Sequence, residues 1–156
     1  MTVTVRALGQ KDAHDLAPLI AANAQAVKRG APRRPDEYYA ELLVSDRTAQ
    51  VVGAFDGDRL VGFAVFFDLP DPVSGLRVGM IEALYTAPEV FGEGVDRRLV
   101  ETLVTEGQSR GWARLRWMLP KPVDPSATGL PEASLADEIA RPSTARLYEI
   151  VIDPLA

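Results

Sequence analysis

Apolar and polar positions alternate at the start of the chain, where Val3, Val5 and Ala7 or Leu8 predict a first strand. After Asp12 the period lengthens. Ala13, Leu16, Ile20, Ala24 and Val27 recur at helical spacing, and Gly30 is placed to cap that helix. Pro32 and Pro35 interrupt the pattern, and a second short helix fits 36–44, with Tyr38, Tyr39, Leu42 and Leu43 as its apolar members. Two β-rich runs, 49–55 and 60–69, flank Asp56-Gly57-Asp58-Arg59. Asp-Gly between such runs signals a hairpin, because glycine accepts the positive φ of a tight turn. Pro70, Asp71, Pro72 and Gly75 form a second turn, and 77–86 reads as a third antiparallel strand.

Past Pro88 the helical period returns. From Gly94 onward Val95, Leu99, Leu103 and Val104 share one face, Asp96, Arg97, Arg98, Glu101 and Glu106 lie away from it, and Gly111 stops the helix. Residues 112–119 alternate as a strand with Ala113, Leu115, Trp117 and Leu119 on one side. The stretch 120–131 is loop-like, a short helix fits 132–140, and 144–152, rich in β-formers, reads best as a last strand. A meander followed by a strand–helix–strand unit predicts an α/β (α+β) mixed sheet, mostly antiparallel, with helices on both faces. The crossover through 94–109 makes the strands at 77–86 and 112–119 parallel neighbours.

Size and composition narrow the class. A chain of 156 residues suits one domain over 1–156 with a real core. A net charge of −5 gives no footing for nucleic acid, and the one basic cluster, Lys28, Arg29, Arg33 and Arg34, has no interleaved aromatics. The absence of cysteine excludes disulfides, thiolate metal sites and a cysteine nucleophile. A single histidine, His14, excludes a histidine-dependent triad or metal cluster, so no metal is implied. The N-terminus lacks the apolar core of a signal peptide, and no apolar run approaches the roughly 20 residues that span a bilayer. These features place the protein in the cytoplasm, off the membrane.

The most informative segment is IEALYTAPEVFGEGVDRRLVETL, residues 81–103: a strand, a glycine-containing turn and an amphipathic helix. Main-chain N–H groups at such a turn, backed by a helix N-terminus, suit a phosphate. Together with the element order it resembles the GNAT superfamily of acyl-CoA-dependent N-acetyltransferases, over roughly 3–119. The piece VGFAVFFDLPDPVSGLRVGMIEALYTAPEVFGEG, from Val61, looks like the diamine and spermidine/spermine branch. In the family a turn of the form Arg/Gln-x-x-Gly-x-Gly/Ala binds the pyrophosphate of coenzyme A through main-chain amides. The matching residues are Phe91, Gly92, Glu93, Gly94, Val95 and Asp96. Two glycines are kept, but Phe91 replaces the Arg/Gln and Asp96 the last small residue. A carboxylate beside a pyrophosphate is unfavourable by ~1 kcal/mol at a solvated 4 Å and several-fold more where desolvated. Arg97 and Arg98 offer compensation, or Asp96 favours the helix N-terminus when no ligand is bound.

The resemblance implies acetyl-CoA as co-substrate, a small-molecule primary amine as acceptor, direct attack within a ternary complex, and a homodimer. It implies Glu82 as general base, since an arriving ammonium must lose a proton before attack. A strand residue on the solvent face, or one paired with Arg77, is the alternative for Glu82. Leu84, Tyr85 and Thr86 would pair with the pantetheine arm and polarise the acyl carbonyl through a main-chain N–H, on a strand that bulges here in many family members; an ordinary buried strand is the alternative. Ala145-Arg146-Leu147-Tyr148-Glu149 looks like the family's tyrosine helix, which would make Tyr148 a general acid. The spacing is tighter and no Gly-Phe follows, so Tyr148 on a last strand is a packing residue instead. Glu37, Tyr38 and Glu41 fall on the helix that roofs the acceptor pocket. The competing class is a non-catalytic GNAT-fold protein that binds acyl-CoA or a partner through a decayed turn.

Overall fold

A computed structural model describes residues 1–27, 36–118 and 140–152. Five strands form one sheet in chain order: β1 (Val3–Ala7), β2 (Ala49–Asp56), β3 (Arg59–Asp71), β4 (Leu76–Thr86) and β5 (Trp112–Trp117). The first four pair antiparallel, and β5 joins β4 in parallel. The helices are α1 (Ala13–Val27), α2 (Glu37–Ser45) and α3 (Val95–Arg110), the last being the crossover that parallel pairing requires.

The turns follow from local chemistry. β2 and β3 close through Gly57-Asp58, with Asp56 opposite Arg59 and Gly57 at φ 60° in the first central position, the type II′ arrangement. β3 and β4 close at Asp71. Its main-chain oxygen accepts from the Gly75 N–H at 2.9 Å, and its buried carboxylate accepts from Ser74 Oγ at 2.8 Å and the Val73 N–H at 3.2 Å. Asp36 caps α2 by accepting from the Tyr39 N–H at 3.0 Å.

Two apolar layers sandwich the sheet. On one face α3 buries Val95, Leu99, Val100 and Leu103 against Val61, Ala64, Phe66, Ile81 and Leu84. Each of these side chains larger than alanine contributes about 1.5–3 kcal/mol on burial. On the other face α1 and α2 set Leu16, Ala17 and Ala40 against Val51, Phe63, Val65 and Tyr85. Helices on both faces of a mixed sheet are therefore present as expected.

Several local expectations change. On α2 the inward positions are Ala40, Leu43 and Val44, while Tyr38 is 70% exposed and Leu42 is exposed too. The inward face is instead centred on Ala40, about half a turn round from Tyr38, and its small side chain lets α2 lie close to the sheet. On α3 Val100 is buried and Val104 exposed. On β5 the pairing passes from Arg77–Trp112 to Val78–Arg114. Ala113 is the skipped residue and is exposed, whereas Leu115 and Trp117 pack toward α3.

The final strand expected over 144–152 is absent. Those residues form no strand or helix, and all are exposed. A β-rich sequence fits a pleated, half-buried surface; here no neighbouring strand supplies one. The expected Gly30 cap, the basic cluster at 28–34, Leu119 and the loop at 120–131 lie outside the described residues. So does the expected helix at 132–140 apart from Ala140, which is not helical.

Candidate active site

The site begins at an irregularity in β4. Val65 pairs with Ala83, but Phe66 pairs with Ile81, so Glu82 is the extra residue of a β-bulge. A bulge reverses the side-chain alternation beyond it. Ile81 and Leu84 consequently both enter the α3 layer, while Ala83 and Tyr85 enter the α1/α2 layer. Glu82 itself is exposed. Arg77, the alternative partner for Glu82, instead donates from Nε to Asp68 Oδ1 at 2.7 Å.

β5 accompanies β4 only as far as Ile81, paired with Trp117. From Glu82 to Thr86 β4 pairs with β3 alone among the described strands. Its other edge presents main-chain groups just where Leu84, Tyr85 and Thr86 lead into the glycine turn. The three side chains are buried. Tyr85 packs on Phe63 with ring centroids 5.9 Å apart, and burial pushes its phenol pKa up. Thr86 pairs with Gly62, on whose α3 side Val95 and Leu99 crowd. The Thr86 Oγ1 is buried with no hydrogen-bond partner.

A single 3-10 turn, Pro88–Val90, then carries the chain to α3. An Arg59–Glu89 ion pair ties it to the β2–β3 hairpin. The Glu93 N–H donates to the Val90 oxygen at 3.1 Å, and Gly92 and Gly94 take φ of 84° and 78°, the left-handed region that a Cβ disfavours. A side chain at Gly94 would meet nothing within 4 Å, so the requirement there is conformational rather than spatial. Phe91 and Glu93 are exposed, and Val95 is a core residue beneath the turn.

The α3 ladder begins with the Arg98 N–H donating to the Gly94 oxygen at 3.0 Å. The N–H groups before it lack helical acceptors, which is what makes a helix N-terminus an anion site. One is taken internally: the Arg97 N–H donates to Asp96 Oδ1 at 2.8 Å. Arg97 also donates from Nε to Glu101 at 2.9 Å, and Arg98 reaches the Val3 oxygen at 3.4 Å. Of the two arrangements the sequence left open, Asp96 thus sits on the helix N-terminus, and the arginine side chains bond to other groups. The positive-φ glycines and the start of a 16-residue helix fit a pyrophosphate; the Asp96 carboxylate competes with it for an amide.

The acceptor-side candidates are less focused. Ala40 of α2 shares a layer with Tyr85 and Ala83, so α2 covers the face into which Tyr85 projects. Glu37, Tyr38 and Glu41 lie on the outer side of that helix. Glu37 accepts from His14 Nδ1 at 3.0 Å, and this hydrogen bond raises the imidazole pKa. Among the described residues nothing joins the three to Glu82. Tyr148 is 83% exposed and lies on neither helix nor strand, so both settings envisaged for it are absent. The apolar pattern alone does not show the bulge, which the resemblance led us to expect at 84–86 and which the structure has at Glu82; it sends Tyr85 rather than Leu84 to the α1/α2 face.

The family model of the acetyltransferase (GNAT) family matches residues 18–132. A crystal structure of ribosomal-protein-alanine N-acetyltransferase from Brucella melitensis biovar Abortus 2308 is 36% identical, with a TM-score of 0.83, covering 97% of this chain and 100% of that one. An aminoglycoside acetyltransferase from an uncultured soil metagenomic sample shares the fold at 18% identity and a TM-score of 0.74, over 98% and 100% of the two chains. A transcriptional regulator from Bacillus halodurans C-125 does so at 18% and 0.75, over 97% and 100%. No curated protein matches the sequence. The chain belongs to the acetyltransferase (GNAT) family. These matches support the superfamily without reaching the diamine/spermidine branch. No helix among the described residues is long and apolar enough to cross a membrane.

Proposed function

We propose that this protein transfers an acetyl group from acetyl-CoA to a primary amine of a small molecule, by direct attack in a ternary complex. The observation that carries the reading is the continuous run from the β4 edge at 82–86, which no described strand covers, through Gly92 and Gly94 to the start of α3. Acetyl-CoA supplies an acyl thioester. The main-chain N–H groups within 84–86 that face the open edge align and polarise its carbonyl. Those of Gly92 and of 94–97 hold the pyrophosphate after the Asp96 carboxylate yields the Arg97 N–H, the Glu93 N–H being held by the Val90 oxygen. Glu82, lifted out of the ladder by the bulge, takes the proton from the arriving ammonium, directly or through water. The exposed Glu37, Tyr38 and Glu41 attract the cationic amine toward the α2 side.

A protein N-terminal amine is the second acceptor reading, favoured by the 36% identical relative that acts on ribosomal-protein alanine. The non-catalytic reading rests on Asp96 occupying the turn.

Titration calorimetry with acetyl-CoA, followed by free-thiol release with diamines, aminoglycosides and an N-terminal alanine peptide, separates the three. The proposal expects cofactor binding and thiol release with a small amine. Absence of heat at millimolar cofactor sinks it. Binding without release by any acceptor supports the non-catalytic reading, and release with the peptide alone moves the acceptor class to protein N-termini.

A further inference from the structure

In an unbroken strand Glu82 and Tyr85, three residues apart, would project from opposite faces of the sheet. The bulge changes this. Glu82 and Ala83 together stand opposite the single Val65, and so share its face. Val65, Ala83 and Tyr85 all belong to the α1/α2 layer. The extra residue thus puts the Glu82 carboxylate and the Tyr85 phenol on one face.

The ladder fixes what surrounds Tyr85. The Ala87 N–H donates to the Val61 oxygen at 2.8 Å, and Thr86 lies opposite Gly62. Leu84 and Thr86 therefore turn their main-chain groups to the edge that no described strand covers, while Tyr85 pairs with Phe63. The Tyr85 side chain rises between the two N–H groups assigned above to the acyl carbonyl. On the other face Leu84 is buried with Val95 and Leu99 of α3, which closes that side to an incoming amine. The amine reaches the carbonyl from the α1/α2 side, past Glu82 and Tyr85.

The Tyr85 ring is held against Phe63 and the residue is only 3% exposed. Its hydroxyl makes no hydrogen bond among the described residues, yet the sealed polar atoms without a partner are Thr86 Oγ1 and Trp112 Nε1. The Tyr85 oxygen therefore opens outward. Burial raises its pKa, so it stays a neutral phenol that offers an acceptor lone pair.

Resting on the acyl-transfer reading above, we propose that Tyr85 Oη accepts a hydrogen bond from the attacking nitrogen and thereby selects primary amines. The three protons of the arriving ammonium have separate fates. One passes to Glu82 and frees the lone pair. That pair forms the C–N bond as the C–S bond breaks, and a second proton goes to the departing thiolate sulfur. The third stays on the nitrogen of the amide product, and it is this one that points at Tyr85 Oη during attack. A secondary ammonium has two protons, both consumed, and its second alkyl group falls where the phenol needs a hydrogen.

Tyr85→Phe removes the oxygen and keeps the ring on Phe63. The assay is free-thiol release by the full chain, with the primary amine that wild type turns over and with its N-methyl counterpart. The variant is expected to lose about three- to tenfold in kcat/KM for the primary amine, the worth of one neutral hydrogen bond. It should lose nothing for the N-methyl compound, so the preference between the two shrinks by that factor. The Kd values of both amines on the coenzyme A complex should show the same contrast without turnover. Tm and acetyl-CoA Kd are expected to match wild type. Unchanged kinetics and amine affinities, an equal loss on both amines, or a lowered Tm or cofactor affinity would each overturn the role of Tyr85 and leave acyl transfer standing. A wild type that releases no thiol with any amine would overturn acyl transfer itself, and the Tyr85 role with it.

Discussion

The carboxylate of Asp96 accepts a hydrogen bond from the main-chain N–H of Arg97 at 2.8 Å, within the first turn of α3. A bound pyrophosphate must displace that contact and tolerate a charge of its own sign. Removing the carboxylate should therefore tighten binding. Asp96→Gly is expected to lower the coenzyme A Kd by about fivefold, corresponding to ~1 kcal/mol of like-charge repulsion at a solvated distance. Glycine also loosens the helix start, so Asp96→Ala is the companion variant and should shift in the same direction. Calorimetry at two ionic strengths checks both, because screening shrinks the difference if it is electrostatic. Unchanged or weaker affinity in both variants would refute the repulsion.

Thr86 places a hydroxyl in an apolar layer where it finds no acceptor. Valine has nearly the same shape and no polar atom to desolvate. Thr86→Val should stabilise the free protein by about 1 kcal/mol, raising Tm by roughly 2–4 °C. Thermal unfolding without ligand measures it. A fall in Tm would mean that the hydroxyl is hydrogen-bonded in solution.

Where side-chain period and turn chemistry agree, the fold was legible from the residues. Gly57 announced a hairpin because few residues other than glycine accept its positive φ, and Leu99 and Leu103 announced the buried stripe of α3. The bulge was legible only through the family resemblance, not in the apolar pattern. Ile81, Ala83, Leu84 and Tyr85 are all apolar, so inserting Glu82 leaves no break in a pattern that is buried on both faces. Nor does the site reveal itself fully in the motif. The sequence shows that Asp96 replaces a small residue, but only the fold shows which amide it takes. The tail misled for a different reason: Ile150, Val151 and Ile152 have strand propensity, and propensity does not provide a neighbour.

Arg6 and Asp12 form a two-pronged ion pair, with contacts of 2.8 and 3.0 Å, and the Gly9 N–H donates to the same carboxylate at 2.9 Å. The Arg6 hydrogen bonds lead in holding the Asp12 carboxyl below its ordinary pKa, against the opposing effect of burial. A carboxyl depressed in the folded state stabilises fully above its unfolded pKa, near 3.9, and loses that contribution as pH falls through the folded value. Asp12→Asn should cost about 1.5 kcal/mol at neutral pH, the low end for charged hydrogen bonds because Arg6 is partly exposed. The difference from wild type should shrink below about pH 4. Urea unfolding at several pH values tests this, and a constant difference across that window would contradict the ion-pair account.

The role proposed for Glu82 makes a separable prediction, because the residue is exposed and contributes little to the core. Glu82→Gln keeps the bulge, the side-chain length and both neighbouring layers, and removes only the ability to accept a proton. Acetyl-CoA affinity and Tm should stay as in wild type. Turnover with an amine acceptor should fall by about 10²–10⁴-fold, the usual contribution of a positioned general base. The pH profile distinguishes a base from a residue that merely positions the amine. With Glu82 gone, the remaining rate should rise with pH as the acceptor's own free-amine fraction grows. A positioning residue would instead raise KM and leave the shape of the profile unchanged. Equal kcat in variant and wild type would remove Glu82 from the chemistry, and the bulge would then serve only to open the β4 edge.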